Sequence, residues 1–322
     1  MIDVVCFGDL LIDFVPTVTG QGLADAPAFV KAPGGAAANV AVGLVRLGAS
    51  SAFVGKVGED PFGHFLADTL AGEGVDVRAL RFETRARTAL AFVSLRADGE
   101  REFLFYRHPS ADMLFTPADV DTVAIDASPV LHFDSISLAA EQPRETVLHA
   151  ASLARDAGKL ISYDVNLRLP LWRDAEAAKA GILTGLARAQ IAKLSDDELD
   201  FLTGSREPEA VRRLWHDGLQ LLVLTLGGRG CILMTPEGER HVPSIAVTPV
   251  DTTGAGDGFV AGLLAGLLPH DRLPDQEALV GICRLANVVG ALATTERGAI
   301  PALPTRAVVE ARLAAATAGS AP

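Results

Sequence analysis

Short β-branched and apolar runs alternate with alanine- and leucine-rich stretches of helical length along almost the whole chain. That rhythm constrains the fold more than any other feature of the sequence. Residues 3–8, 51–57, 130–133, 160–165, 190–194 and 221–226 read as strands. Residues 36–47, 62–71, 143–157, 175–187, 207–215, 255–268 and 276–293 read as helices. Such alternation predicts parallel strands joined by crossover helices, and so an α/β sandwich around a mostly parallel central sheet. The stretch 88–107 breaks the rhythm, because two strand-like runs flank Asp98-Gly99, a hairpin signal. With the apolar run 10–15, interrupted by Asp13, it predicts a small separate β layer from about 11–31 and 86–112, placed as a flap over a site. No long linker or repeat divides the chain, so residues 1–322 read as one domain. The alanine-rich tail beyond Arg312 is expected to fray.

Composition narrows the function classes. Hydrophobic residues make up 49% of the 322 and charged residues 21%, which gives a sizeable core and excludes a disordered polyampholyte. The formal charge of −12 argues against nucleic acid or an anionic membrane as partner, while leaving room for a local anion pocket. Cys6, Cys231 and Cys283 are far apart and have neither zinc spacing nor a disulfide framework, which suits a reducing cytoplasm. The N-terminal Met-Ile-Asp-Val-Val lacks a basic leader region, and the most apolar stretch, 259–268, is about half a membrane span.

Five segments carry candidate chemistry. Gly34-Gly35-Ala36-Ala37-Ala38-Asn39 pairs close backbone approach with a side chain that can both donate and accept, which suits a polyol; a tight loop entering a helix is the plainer account. Asp251-Thr252-Thr253-Gly254-Ala255-Gly256-Asp257-Gly258 leads straight into an apolar helix. The free N–H groups at such a start form an anion site, and Asp257 is either a helix cap or a general base beside the anion. A cap does not require three glycines. The dinucleotide spacing fails at Phe259, and no Walker-type loop or Gly-x-Ser-x-Gly elbow is present. Asp164-Val165-Asn166-Leu167-Arg168 follows a strand. There Arg168 can oppose phosphoryl charge and Asn166 can orient a group, or Asp164 and Arg168 form a surface pair. Lys193–Glu198 combines a cation with an ordinary Ser195/Glu198 capping box. Leu224–Gly230 has no base and reads as a nucleotide-contacting turn, or as a plain hairpin into the strand that follows. The histidines show no metal spacing, and His108 alone falls in the flap.

Together these segments resemble the PfkB, or ribokinase-like, carbohydrate kinases. Residues 34–58 are similar to the family's N-terminal signature and 251–258 to its C-terminal one, about 200 residues apart in the right order. Residues 105–113, 135–138, 164–172, 193–198 and 201–204 resemble the fructokinase branch. The resemblance implies a ribokinase-like three-layer α/β/α sandwich with a small β-sheet lid. It also implies phosphorylation of D-fructose at the 6-hydroxyl by ATP with Mg²⁺. Asp257 then matches the catalytic base, Gly254, Ala255 and Gly256 the anion hole, and Arg168 the residue reaching the transferred phosphate. Asp9, Asp13, Gly34, Gly35 and Asn39 match sugar contacts, and Arg107 lies on the flap where the sugar is read. Lys193, Thr225, Gly227, Gly230 and Asn287 match nucleotide-side positions, with Ser195 beside them where many members carry Asn. Glu198 belongs to the Mg²⁺ and phosphate environment. Asp251, Thr253 and Gly298 resemble a monovalent-cation (K⁺) site, although Ala302 stands near a position that supplies a hydroxyl there in some ribokinases. His108, Val165 and Gly258 also depart from common family residues, and none of these changes touches Asp257. The flap edges suggest a homodimer through the lid. Competing expectations are a sister kinase for ribose, a nucleoside or 2-keto-3-deoxygluconate, a phosphofructokinase-like enzyme, or a non-catalytic sugar sensor.

Overall fold

The structure is a computed structural model that describes residues 2–18, 20–95 and 101–318. Its strands are β1 (Val4–Phe7), β2 (Leu11–Pro16), β3 (Phe29–Gly34), β4 (Ser51–Gly58), β5 (Leu80–Glu83), β6 (Ala89–Leu95), β7 (Arg101–Tyr106), β8 (Val130–Asp134), β9 (Leu160–Asp164), β10 (Ile191–Ser195), β11 (Leu221–Thr225), β12 (Cys231–Thr235) and β13 (Gly238–Val242). The α-helices are α1 (Ala36–Arg46), α2 (Pro61–Gly72), α3 (Thr122–Asp126), α4 (Glu141–Asp156), α5 (Ala175–Leu186), α6 (Asp196–Thr203), α7 (Ala255–Leu267), α8 (Gln276–Leu292), α9 (Ala299–Ala302) and α10 (Arg306–Ala318).

Nine strands form one sheet in the order β13-β12-β11-β10-β9-β8-β1-β4-β5. From β5 to β11 all neighbours are parallel, and β12 and β13 close the edge antiparallel. The central strands are buried on both faces, which is why they read as continuous apolar runs. Val5, Phe7, Phe133 and Tyr163 point to a layer holding α4 and α5. Val4, Cys6 and Phe53 point to α1, α7 and α8 on the opposite face. The result is the expected α/β/α sandwich. The cysteines are free and buried. No helix among the described residues is long and apolar enough to cross a membrane.

A second sheet of four strands, in the order β3-β2-β6-β7, stands apart from the first. Leu11, Asp13, Val15, Val93 and Phe105 on one face border the large cavity described below. On the other face Phe14 stacks on Phe92 at 4.9 Å between centroids, Phe62 of α2 meets Phe14 edge-on at 6.0 Å, and Lys31 lies 3.3 Å above the Phe65 ring. The Asp98-Gly99 turn lies outside the described residues. Even so, β6 and β7 pair antiparallel from Leu90↔Tyr106 to Leu95↔Arg101, as a hairpin requires.

Several expectations need correction. The helix expected over 207–215 is a short 3₁₀ segment, Pro208–Arg213, where burial of Ala210 and Val211 is satisfied within two tight turns. Beyond Arg312, where fraying was expected, α10 continues to Ala318, with Val309 fully buried and Leu313 packed against the core. Residue 34, expected in a loop, is the last residue of β3, in register with Leu11. The sequence reading also missed β3, β5 and β13. They lie at sheet edges, and the first four residues of β13 are exposed, so no apolar run marks it.

Candidate active site

The parallel strands all end on one edge, and a cavity of about 1060 Å³ opens between that edge, the small sheet and the start of α7. Strand ends of open α/β sheets are where such sheets bind ligands. Every residue given a site role from the sequence borders this cavity except Gly34 and Arg107. Gly34 supports it from behind, since a Cβ there would lie 2.1 Å from Asp13 Oδ2. Arg107 is buried and pairs with Asp112.

One end of the cavity is rich in unmatched polar atoms. Gly35 precedes α1 with φ of +114°, and a Cβ there would sit 2.3 Å from the Asp9 carbonyl oxygen. Glycine therefore lets β1 and α1 meet, which brings Asp9 beside Asn39. Asn39 Nδ2 donates to Asp257 Oδ2 at 2.7 Å, across 218 residues of sequence. Asp9 Oδ1, Asn39 Oδ1 and Asn166 Nδ2 are buried without partners among the described residues. Asn166 is also held at φ of +37°, with its N–H on Asp164 Oδ1 at 3.2 Å. Buried polar groups are normally satisfied, so two acceptors and a donor left open describe a site waiting for hydroxyl groups. Burial raises Asp9 to about 6, although Arg107 pulls it down. It raises Asp13 to about 7, helped by the charge of Asp9.

The middle of the cavity is the start of α7. Gly254 sits at the helix cap with φ of +79°, and no side chain caps the helix. A Cβ on Gly254 would approach Ala299 Cβ to 2.8 Å. A Cβ on Gly256 would stand 3.2 Å from Lys193 Nζ, so glycine here lets an ammonium group lie against the helix start. Uncapped N–H groups beside a lysine make an anion site. Asp257, one turn inside, is buried. Burial raises its pKa, and the Asn39 hydrogen bond, Arg168 and Lys193 pull it back.

The other end carries charge that is already committed. Lys193 Nζ donates to Asp164 Oδ1 at 2.9 Å, both nearly fully buried. Burial opposes the lysine charge, but Asp164 and Glu198 outweigh it and raise its pKa. The alternative of an Asp164–Arg168 surface pair is thereby corrected, because Asp164 is buried and its partner is Lys193. Arg168 Nη1 rests on the Leu167 carbonyl at 3.0 Å with its side chain on the cavity wall. Glu198 is the glutamate of a capping box: Ser195 N–H donates to its Oε2 at 2.7 Å, and Ser195 Oγ accepts its N–H at 3.2 Å. The other oxygen, Oε1, accepts the Leu167 N–H at 2.9 Å, so this carboxylate also sets the loop bearing Arg168. Burial raises its pKa, yet Lys193 and the two amides win and the net shift is downward.

The remaining residues shape the walls. Thr225 Oγ1 donates to the Leu194 carbonyl at 3.3 Å. Gly227 and Gly230 have φ of +56° and +94°, and a Cβ on Gly230 would lie 2.1 Å from the Val242 oxygen. The turn joins β11 to β12 as a hairpin and also faces the cavity. Asn287 Nδ2 donates to the carbonyls of Val242 and Pro243, at 3.0 and 3.3 Å, and so fastens the loop 243–250. Asp251 Oδ1 accepts from Thr253 N–H and Oγ1, and Oδ2 from Gly298 N–H at 3.0 Å, which stitches the two proposed cation loops together.

Sequence reasoning missed the apolar wall Ile245, Ala246, Val247 and Pro249. It belongs to a segment without periodicity, and no local signal marks it. Asp134 was missed as well. It is fully buried, accepts the Ile136 N–H, and has its other oxygen unpartnered among the described residues. Burial pushes its carboxyl far up, with Asp9 and Asp164 adding to the effect.

Comparison with known proteins agrees with this geometry. The sequence model of the pfkB family carbohydrate kinases matches residues 1–306. A probable fructokinase-4 of Arabidopsis thaliana is 52% identical over 314 residues, covering 96% of each chain. A fructokinase of Xylella fastidiosa, solved with bound ATP, superposes with a TM-score of 0.89 at 34% identity, covering 98% of this chain and 99% of that one. A fructokinase double mutant of Vibrio cholerae O395, solved with fructose, ADP and potassium ion, gives 0.87 at 37% identity, covering 97% and 98%. By sequence and architecture, the chain belongs to the pfkB family of carbohydrate kinases.

Proposed function

We propose that this protein is a fructokinase that transfers the γ-phosphate of ATP to the 6-hydroxyl of D-fructose, giving fructose 6-phosphate and ADP. One observation carries the reading: the Asp257 carboxylate, at an uncapped and lysine-flanked helix start, is tied by Asn39 to the open polar end of the same cavity. A base, an anion site and a polyol site thus meet at one carboxylate. The names of the fructokinase relatives support fructose as the sugar.

Phosphoryl transfer is mostly positioning and electrostatics. Asp9, Asp13, Asn39 and Asn166 hold the sugar hydroxyls. Asp257 accepts the proton of the 6-hydroxyl as that oxygen bonds to phosphorus and the bond to the ADP oxygen breaks. The amides of 254–257, Arg168 and Lys193 oppose the charge on the transferring group. The nucleotide lies along Thr225, Gly227 and Gly230 against the apolar 245–249 wall. Mg²⁺, when bound, neutralises phosphate charge. Glu198, an ionised carboxylate on the cavity wall, would be among the residues that hold it. The loops joined by Asp251 are the proposed K⁺ site. The chain acts as one domain whose small sheet is a lid that excludes water over the sugar. A cytoplasmic setting agrees with three free, buried thiols.

The test is ADP release with ATP, Mg²⁺ and fructose, ribose, glucose, fructose 6-phosphate, adenosine or 2-keto-3-deoxygluconate. The highest kcat/KM is expected with fructose. Preference for another sugar keeps the kinase and removes the fructokinase assignment. Sugar binding without turnover of any would make the protein a sensor.

A further inference from the structure

This reading gives no role to the donor Arg107 Nε, and Asp9 Oδ1, open toward the sugar, can accept from a second donor. Arg107 Nε and Asp9 Oδ1 are both buried, and neither has a partner among the described residues. Both residues border a second, small cavity of about 10 Å³, walled also by Phe7, Lys56, Phe115 and Ser137. That is room for about one water molecule, and a polar site of this size normally holds one. Arg107 is fixed at its far end, where Nη2 donates to Asp112 and Asp112 also accepts from Ser110 Oγ. Lys56 is committed elsewhere, to the Leu114 carbonyl at 3.0 Å and Asp119 at 2.8 Å. Arg107 is 7% exposed and does not border the large cavity, whereas Asp9 borders both. The guanidinium therefore lies behind Asp9, away from the substrate.

We propose that Arg107 is a positioning residue that acts on the sugar through Asp9, its Nε–H linked to Asp9 Oδ1 by one bound water. The identity of the sugar rests on the fructokinase reading; the link itself does not. The charged groups facing Asp9 are Arg107 and Asp112 from the segment after β7, Lys56 from β4 across the small cavity, Asp13 from β2, Asp134 from β8 and Asp257 from α7. Arg107 is the cation that lowers Asp9, whereas Lys56 is held by Asp119 and Glu83. It keeps Asp9 ionised, so that Asp9 accepts a hydrogen bond from a sugar hydroxyl when both are at neutral pH.

The test is a pH titration of aspartate carboxyl carbons by ¹³C NMR on the unliganded protein, with Asp9 assigned by its loss in Asp9→Asn. Wild type is compared with Arg107→Met and with Arg107→Met combined with Asp112→Asn. The double change removes the buried pair together, so it stays foldable if the single change does not. Asp9 is expected to titrate about one pH unit higher in Arg107→Met and to rise by less in the double variant, because Asp112 itself raises Asp9. The KM for fructose is expected to rise several-fold near pH 6.5 and to return toward wild type near pH 9, where Asp9 ionises unaided. An unmoved Asp9 midpoint, or a KM defect equal at both pH values, would overturn the proposal; the second result puts Arg107 directly on the sugar. The NMR arm needs no substrate, so a failure of the fructose assignment shows separately, in wild-type turnover.

Discussion

Asp257 sits where two demands conflict. Burial raises its proton affinity, while Asn39, Arg168 and Lys193 keep the ionised form within reach. That balance suits a base that takes a proton only as the hydroxyl attacks. A positioned base contributes about 10² to 10⁴ in rate, or roughly 3–5 kcal/mol. Asp257→Asn is expected to lower kcat by that order while calorimetry shows fructose affinity and fold retained; near-wild-type turnover would remove it from the role. Asp13 makes a pH prediction. Its folded-state pKa, about 7, lies above the ordinary 3.8, so the folded protein holds the proton through that window. The sign follows: this group's contribution to stability is full at acid pH and declines as pH rises toward 7. Asp13→Asn is therefore expected to raise the Tm of the unliganded protein at about pH 8 and not at about pH 4, while weakening fructose binding. An equal Tm change at both would show that Asp13 carries no such strain. The position of the site was legible in the sequence because glycines at 34, 35, 254 and 256 mark places where backbone or charge must approach closely. Arg107 and Asn287 were less legible, since their partners, Asp112 and the carbonyls at 242–243, are found only in the folded chain.

Among the elements, β9 and β10 are tied by an ion pair, because Lys193 and Asp164 meet across adjacent strands and are nearly fully buried. Removing one partner of a buried pair costs about 3–5 kcal/mol, since the other charge is stranded. Lys193→Met is expected to lose that much at about pH 8 by urea unfolding. The loss should be smaller near pH 5, where Asp164, already raised to about 6 in the wild type, takes a proton and is no longer charged. A pH-independent loss would mean that packing of the lysine stem dominates. The same burial explains which elements could be read in advance. The central strands are apolar on both faces and stood out, whereas β5 and β13 are edge strands covered on one side or exposed, and their composition is that of a loop. The segment Pro208–Arg213 shows the opposite error: its apolar spacing is helical, but its turns are 3₁₀.

At the scale of the molecule, the lid is the least self-sufficient part. A four-stranded sheet packs α2 on one face, leaves Val30, Leu104 and Tyr106 exposed, and ends in edge strands β3 and β7. Exposed edges seek partners, and the proposed homodimer through the lid is expected to show as about twice the 33.6 kDa chain mass in light scattering. A monomer at working concentration would refute it. The central claim concerns what joins the two halves of the cavity: a base at the helix start, with the sugar on one side and the nucleotide on the other. The measurement that tests it most directly is ³¹P and ¹³C NMR of the product formed from ATP, Mg²⁺ and [6-¹³C]fructose. The account predicts fructose 6-phosphate and ADP in equal amounts, with phosphorus coupled to the labelled carbon. Phosphate on another hydroxyl, or inorganic phosphate from hydrolysis alone, would contradict it.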